Sequence, residues 1–248
     1  MNHMINKQLN HRTIRFFKEQ AVPADLLEQF IQVAQRTATS NNLQSSSMIR
    51  ITDPNLRQQI AEISMQPYLA TVPELFIFLV DQYRNDQIAT TKNGHAPMIG
   101  MNLFFQGAAD VYLTAQNMAT AIESADLGTV FFGSILNDSE RLVDVLNLPP
   151  YTFPLLGLGF GYPDDQPELK PRMAMNLRVG ENSYPMTDDL LADLADFDEE
   201  MTTYYDSRQK NKRSDTFTNQ VAQKLAIPHE KRDAIMQVIE QQGFQLKP

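Results

Sequence analysis

Apolar residues return every three or four positions in PADLLEQFIQVAQRTAT. Leu26, Leu27, Phe30, Ile31 and Ala34 thereby fall on one side of a helix, and the fixed φ of Pro23 suits its first turn. The spacing recurs in ITDPNLRQQIAEISMQ, where Leu56, Ile60 and Ile63 share a face, Asp53 is the expected N-cap and Pro54 the first helical residue. VPELFIFLVD has no such period; its unbroken apolar run from Leu75 to Val80 predicts a strand covered on both faces. The longest helical pattern runs from Met98 to Gly128. Ile99, Leu103, Ala108, Tyr112, Ala115 and Met118 give it a broad apolar surface, small residues such as Gly107 and Ala119 admit close neighbours, and Gly128 is the expected residue just past its end. A helix apolar on most sides is either central or part of a subunit interface.

TVFFGSIL then predicts a strand ending in a turn, and DSERLVDVLNLPP a short helix capped by Asp138 or Ser139. FPLLGLGFGYP predicts a second buried strand. Past Pro171 the pattern loosens into an extended arm, RMAMNLRVGENSYP. An acidic helix, DDLLADLADFDEEMTTYYDSR, a polar link and a last helix near PHEKRDAIMQVIEQQ follow. The order predicts an α+β core over residues 1–187 and a C-terminal helical extension over 188–248.

A length of 248 residues fits one large domain, or one with an excursion. The net charge of −9 argues against nucleic acid or an anionic membrane surface as partner, since both require a positive field. The absence of cysteine removes disulfides and thiolate chemistry and suits a reducing cytoplasm. No signal peptide is visible in MNHMINKQLNHRTIR, and LFIFLV is too short to span a bilayer, so the expected location is cytoplasmic.

GLGFGYPDD has the glycine rhythm of a dinucleotide loop, but Pro163 and two aspartates stand where a helix must open, so the glycines are read as allowing helices to pack on a buried strand. No G-x-S-x-G elbow or H-E-x-x-H pair occurs. His3, His11, His95 and His229 lack metal-ligand spacing, so no metal is expected. Four polar or cationic clusters remain: HRTIR (11–15), TSNNLQSSS (39–47), DQPELKPR (165–172) and SRQKNKRSDT (207–216). Taken singly, each also fits a solvated turn, a rigid loop or a helix end. Together they supply guanidinium and ammonium groups for phosphate, and amides and hydroxyls for the edge of a planar heteroaromatic. With no intrinsic nucleophile or acid–base pair, the set points to a cofactor that brings its own chemistry.

At this point the chain resembles the nitroreductase superfamily, in its NADPH-dependent, FMN-containing nitroreductase/flavin reductase branch. The likeness rests on HRTIRFF, TATSNNLQSSSMIRITD, YLTAQNMATAIESADLGTVFFGSILND, FPLLGLGFGYPDDQPELKPR, ENSY and YYDSRQKNKRSDTF, in that order over nearly the whole chain. It implies a nitroreductase-like fold with a mixed central sheet, a long helix at a homodimer interface, and non-covalent FMN held between subunits. His11, Arg12, Thr13 and Arg15 are then the expected grip on the cofactor, with Arg12 and Thr13 near its phosphate and Arg15 near its pyrimidine edge. Thr39 and Ser40 (reaching from the other subunit), Gln66, the backbone of Phe131, Phe132, Gly133 and Ser134, and Lys170 and Arg172 complete the implied set.

The resemblance also implies hydride transfer from NADPH and reduction of nitroaromatics, quinones or free flavin by a ping-pong cycle. Arg15 and Lys170 are the cations expected to favour the reduced flavin, and Arg208 and Arg213 those that meet the 2′-phosphate of NADPH. Two positions depart from the family pattern: Leu136 stands where close relatives carry arginine, leaving Lys210 or Lys212 to compensate, and Ser134 replaces a turn glycine. Arg232 falls where relatives carry another basic residue. Three other readings predict different behaviour. A flavin reductase supplies reduced FMN to a partner protein, a flavin-binding module binds FMN without turnover, and an acidic structural partner is colourless.

Overall fold

The computed structural model describes residues 2–207 and 215–246. Its helices are His3–Leu9 (α1), Ala24–Gln35 (α2), Pro54–Ser64 (α3), Tyr83–Asn93 (α4), Met101–Ser124 (α5), Ser139–Val145 (α6), Leu190–Asp193 (α7), Ala195–Ser207 (α8), Phe217–Leu225 (α9), Glu230–Asp233 (α10) and Ile235–Gln241 (α11). The strands are Ser46–Arg50 (β1), Glu74–Asp81 (β2), Gly128–Phe132 (β3) and Thr152–Gly161 (β4). They form one sheet in the order β1-β2-β4-β3.

The expected α+β class is the one adopted, and all three ladders are antiparallel. Among the described residues, the parallel component of the expected mixed sheet is confined to isolated bridges, Thr13 with Thr129 and Gly100 with Gln245. The alternation of β2 builds two cores. Phe76, Phe78 and Val80 face one side, together with Leu27 and Phe30 of α2, Val111, Ala115 and Met118 of α5, and Val238 and Ile239 of α11. Leu75, Ile77 and Leu79 face the other, with Ile60 and Ile63 of α3, Ile135 and Leu142. Every residue of β2 is buried, as its unbroken apolar run predicts. The sheet is thus sandwiched between two helical layers, the arrangement that buries both of its faces.

The polar ends of this sandwich are tied down by arginines. Glu74, at the start of β2, is buried and accepts two bonds from Arg50, at 2.8 and 2.7 Å. That contact raises the Arg50 guanidinium further above its ordinary range. Arg57 of α3 donates to the carbonyls of Ile51, Val72 and Pro73, and burial lowers its pKa from the usual arginine value.

Contacts divide the chain into two compact units, residues 1–166 with 229–248, and residues 167–228. Where the sequence suggested one boundary near 187/188, the compact units divide at 166/167 and again at 228/229. The last twenty residues return to the first unit because α11 and Phe244 complete its core; the Phe244 ring lies 5.1 Å from that of Phe104, edge-on. The second unit holds α7, α8 and α9, with Phe197 and Phe217 in ring contact and Asp198 accepting from the backbone N–H of Thr218.

Asp53 caps α3 by accepting from the N–H groups of Asn55 and Leu56, with Pro54 in the first turn, and Asp138 caps α6 through Arg141 N–H. Gly128 does not end α5. Ala125 and left-handed Asp126 do, and Gly128 opens β3, where it lies so close to Ile14 that a Cβ would sit 2.5 Å from Ile14 Cγ1. The β4 glycines admit side chains rather than helices: at Gly159 a Cβ would meet the Phe132 ring at 2.9 Å. Four elements went unread in the sequence, namely α1, β1, α4 and α9, the last within the stretch read as a polar link.

Candidate functional site

The segment that opens the cationic pattern is held to the sheet at several points. Ile14 N–H donates to the Thr129 carbonyl at 2.9 Å, Lys18 N–H to that of Tyr162 at 2.9 Å, and Asp164 N–H to that of Phe16 at 3.0 Å. Buried Ile14 fills the space that Gly128 leaves. Glu123, at the end of α5, anchors the start of the segment: its Oε1 lies 2.8 Å from His11 Nδ1 and also accepts from the Thr129 hydroxyl. His11 and Thr13 are therefore half-buried parts of a fixed arm along β3. Arg12 donates through Nη1 to the Asn10 carbonyl at 2.9 Å, while its Nε is buried with no partner. Arg15 is exposed and makes no ion pair among the described residues.

Strand β3 runs from Thr129, beside Thr13, into Phe131, Phe132, Gly133 and Ser134. Phe132 is buried against the Tyr68 ring, 5.6 Å away, and Phe131 is half-buried. The 3-10 turn Gly133–Asp138 follows, and above Gly133 the space is open: a Cβ there would have no neighbour within 4 Å. Four extended residues separate Thr129 from Gly133, about 13 Å. Gln66 reaches the same neighbourhood by another route. It follows left-handed Met65 at the end of α3, donates its N–H to the Ala61 carbonyl, and that turn is joined to the 133–138 turn by Asn137 Nδ2 bonding the Ser64 carbonyl at 3.1 Å.

Thr39 and Ser40 lie elsewhere. They lead toward β1, at the opposite edge of the sheet from β3. Ser40 N–H donates to Asp110 Oδ1 at 2.8 Å and Ser45 N–H to Asp110 Oδ2 at 3.0 Å. Asp110 and Glu123 are both on α5, thirteen residues apart, which is about 20 Å at 1.5 Å per residue. One copy of the chain therefore holds its 39–45 loop at the middle of α5 and its His11–Arg15 arm at the C-terminal end. The loop borders an open cleft of about 1050 Å³, lined by Thr39, Asn42 and Gln44 with Arg36, Met48 and Thr114.

Lys170 and Arg172 belong to the second unit. There they line a cavity of about 280 Å³ with Arg178 and Lys224, over an apolar floor that includes Phe197, Met201 and Phe217. Arg208 and Arg213, and with them Lys210 and Lys212, lie outside the described residues. Arg232 of α10 donates to Asn137 Oδ1 at 3.1 Å, so this cation sits on the turn that carries Ser134 and half-buried Leu136. No cluster of three metal-ligating side chains occurs among the described residues.

Sequence reasoning missed Asp110, Glu123 and Asn137, the residues that hold these segments in place. Asp110 alone had a readable signal: it is the only carboxylate or cation between Lys92 and Glu123, inside the most apolar helix of the chain.

Known proteins with the same organisation are plentiful. Residues 9–162 match the Nitroreductase family, and residues 170–247 match the Nitroreductase family, C-terminal domain. The chain is 33% identical over 225 residues to the FMN reductase (NADPH) of Bacillus subtilis (strain 168), covering 89% of this chain and 90% of that one. It is 32% identical over 248 residues to an NADPH-dependent oxidoreductase of Staphylococcus saprophyticus, covering 98% of each. Among solved structures, nitroreductase A from Vibrio parahaemolyticus superimposes with a TM-score of 0.89 at 33% identity over the full length of both chains. The NADPH:FMN oxidoreductase from Vibrio harveyi complexed with NAD+ does so with a TM-score of 0.87 at 30% identity, over 99% of this chain and 100% of that one. With both halves of its sequence matched and its fold shared along the whole length, the chain belongs to the nitroreductase family.

Proposed function

We propose that this enzyme is an NADPH-dependent FMN oxidoreductase working as a cytoplasmic homodimer, with nitroaromatics, quinones or free flavin as electron acceptors. The observation that carries the reading is the fixed arm along β3. Among the described residues it holds a buried Arg12 Nε without a partner and an Arg15 without an ion pair, beside a strand that ends at the open backbone of Gly133. A buried donor without an acceptor is costly unless a ligand supplies one, and a guanidinium is the donor best matched to phosphate. An open backbone at the far end of the same strand suits the flat face or edge of a ring.

When bound, FMN supplies the two-electron chemistry, accepting hydride from NADPH and passing electrons to a second substrate in a ping-pong cycle. The chain's own residues bind and orient. Arg12 and Thr13 would hold the phosphate end, Arg15 and Gln66 the polar edge of the ring, and the Phe131–Ser134 backbone would line the site of the ring. Such positioning accounts for the absence of a nucleophile or acid–base pair from the motifs of the chain.

Two copies would supply the full set, since the α5 anchors of the loop and of the arm, Asp110 and Glu123, stand thirteen residues apart, about 20 Å along the helix. The exposed face of α5 carries Phe105, Tyr112 and Leu113, large apolar groups that a second copy would cover. No described helix is long and apolar enough to cross a membrane, and the cysteine-free, acidic chain suits a reducing cytoplasm. Among acceptors, the likeness to an FMN reductase (NADPH) favours free flavin. The test is reconstitution of apoprotein with FMN, followed by the ratio of kcat/KM for NADPH and NADH. Tight FMN binding, weakened about 10- to 100-fold in Arg12→Ala, and a clear preference for NADPH are expected. Equal or better use of NADH removes the cofactor preference, and unchanged FMN affinity in Arg12→Ala removes the arm.

A further inference from the structure

The 39–45 loop is built in an unusual way. Asn41, Asn42 and Gln44 all have left-handed backbone, with φ of 52°, 57° and 50°, and none is glycine. Asparagine tolerates this region through its short amide; glutamine has no such excuse, so the conformation persists only where surrounding bonds over-determine it. Those bonds are present. The Asp110 carboxylate, 1% exposed in the middle of α5, takes the N–H of Ser40 on one oxygen and that of Ser45 on the other. Asn85 Nδ2 donates to the Leu43 carbonyl at 3.2 Å, and Arg84 Nη2 donates to the Gln44 carbonyl. A buried carboxylate on an otherwise apolar helix is expensive, and an uncharged residue would pack there at less cost unless the loop must be held.

We propose that Asp110 is a positioning residue for cofactor binding. Its carboxylate staples both ends of a strained loop to the central helix, so that Thr39 and Ser40 present fixed polar groups to the FMN bound at the other copy's arm. This inference rests on the functional reading above. Asp110 touches no ligand; it acts through the loop. Its effect therefore falls on FMN affinity and not on turnover of the loaded enzyme.

The experiment uses the full-length protein and Asp110→Asn, with Ile60→Val, a change in the opposite core, as a stability control. Hydrogen exchange reads the staple directly, and FMN titration of the apoproteins reads its consequence. Asp110→Asn, which keeps one acceptor oxygen and turns the other into a donor, is expected to lose protection at the Ser40 or the Ser45 amide, whichever faces Nδ2, while α5 keeps its own. Its Kd for FMN should rise at least tenfold, with kcat and the KM for NADPH within twofold of wild type at saturating FMN. Ile60→Val should leave the Kd for FMN unchanged. Lost amide protection with unchanged FMN affinity would overturn the positioning role while leaving the functional reading intact; wild-type protein that binds no FMN overturns both. If Asp110→Asn does not fold, Asn85→Ala, which removes the Nδ2 bonds to the Leu43 carbonyl, the Ser45 hydroxyl and Gln82 Oε1, is expected to raise the Kd about threefold by the same route, and no change there overturns the proposal.

Discussion

At the scale of single residues, the arm's position depends on an atom that is missing. Gly128 lies where β3 meets Ile14, and an added methyl would stand 2.5 Å from Ile14 Cγ1 and 2.7 Å from its Cβ. Because Ile14 N–H bonds the next carbonyl along β3, any shift that relieves the clash also moves Thr13 and its neighbours. Gly128→Ala is therefore expected to cost about 1–3 kcal/mol in urea unfolding, and also to weaken FMN retention. Gly133→Ala, with open space around it, should leave unfolding unchanged. Equal stability of the two variants would contradict this account of the arm. The same scale separates what was legible in the chain from what was not. Arg12, Arg15 and the glycine turn stand out by residue type against an acidic background. Glu123, Asn137 and Asp110 do not, because their work is done on backbone groups and polar side chains far away in sequence, and neither type nor spacing reveals such a partner.

Among the elements, α10 illustrates how a short helix acts on a distant turn. Lys231 bonds Asp138 and Arg232 bonds Asn137, clamping α10 to the 133–138 turn. Burial pushes the Asp138 carboxyl up, but the Lys231 ammonium, the Arg141 N–H and the charges of both residues outweigh it, so its pKa lies below the usual carboxylate range. A carboxylate held low in the folded state stabilises above its unfolded pKa, about 3.9, and loses that contribution as pH falls through the lower folded value. Wild type should therefore exceed Asp138→Asn in stability by a constant margin above about pH 5, and the margin should shrink below about pH 4. Lys231→Met should narrow it wherever Asp138 is ionised. A margin that grows on acidification contradicts the clamp. Elements with a strong internal period, such as α2, α3 and α5, and the unbroken run of β2 were readable from sequence. Strand β1 was not, since SSMIR has no alternation of its own and is a strand through its pairing with β2 from Ser46–Val80 to Arg50–Phe76. α1 and α4 bury almost nothing, and a helix that faces water on most sides leaves little pattern.

For the whole molecule, the division of labour along α5 leads to the assembly. Its inner side belongs to the core, its middle and its C-terminal end carry the Asp110 and Glu123 anchors, and its outer side leaves Phe105, Tyr112 and Leu113 in solvent. The proposed dimer, closed over that side, would explain both the exposed apolar stripe and the separation of the loop from the arm. The double variant Tyr112→Glu, Leu113→Glu should sediment as a monomer and lose FMN together with the dimer. A monomeric variant that keeps FMN at wild-type affinity would show that each copy holds its cofactor alone.

The claim on which all of this depends is that the arm and the β3 turn hold a flavin that NADPH reduces. The visible spectrum of the purified protein, taken with FMN and again after anaerobic addition of NADPH, tests it most directly. The account predicts a protein-bound yellow chromophore that survives gel filtration, bleaches on NADPH addition and regains its colour when a quinone is admitted. A protein that emerges colourless from gel filtration with excess FMN, or one whose bound flavin NADPH leaves unbleached, contradicts it.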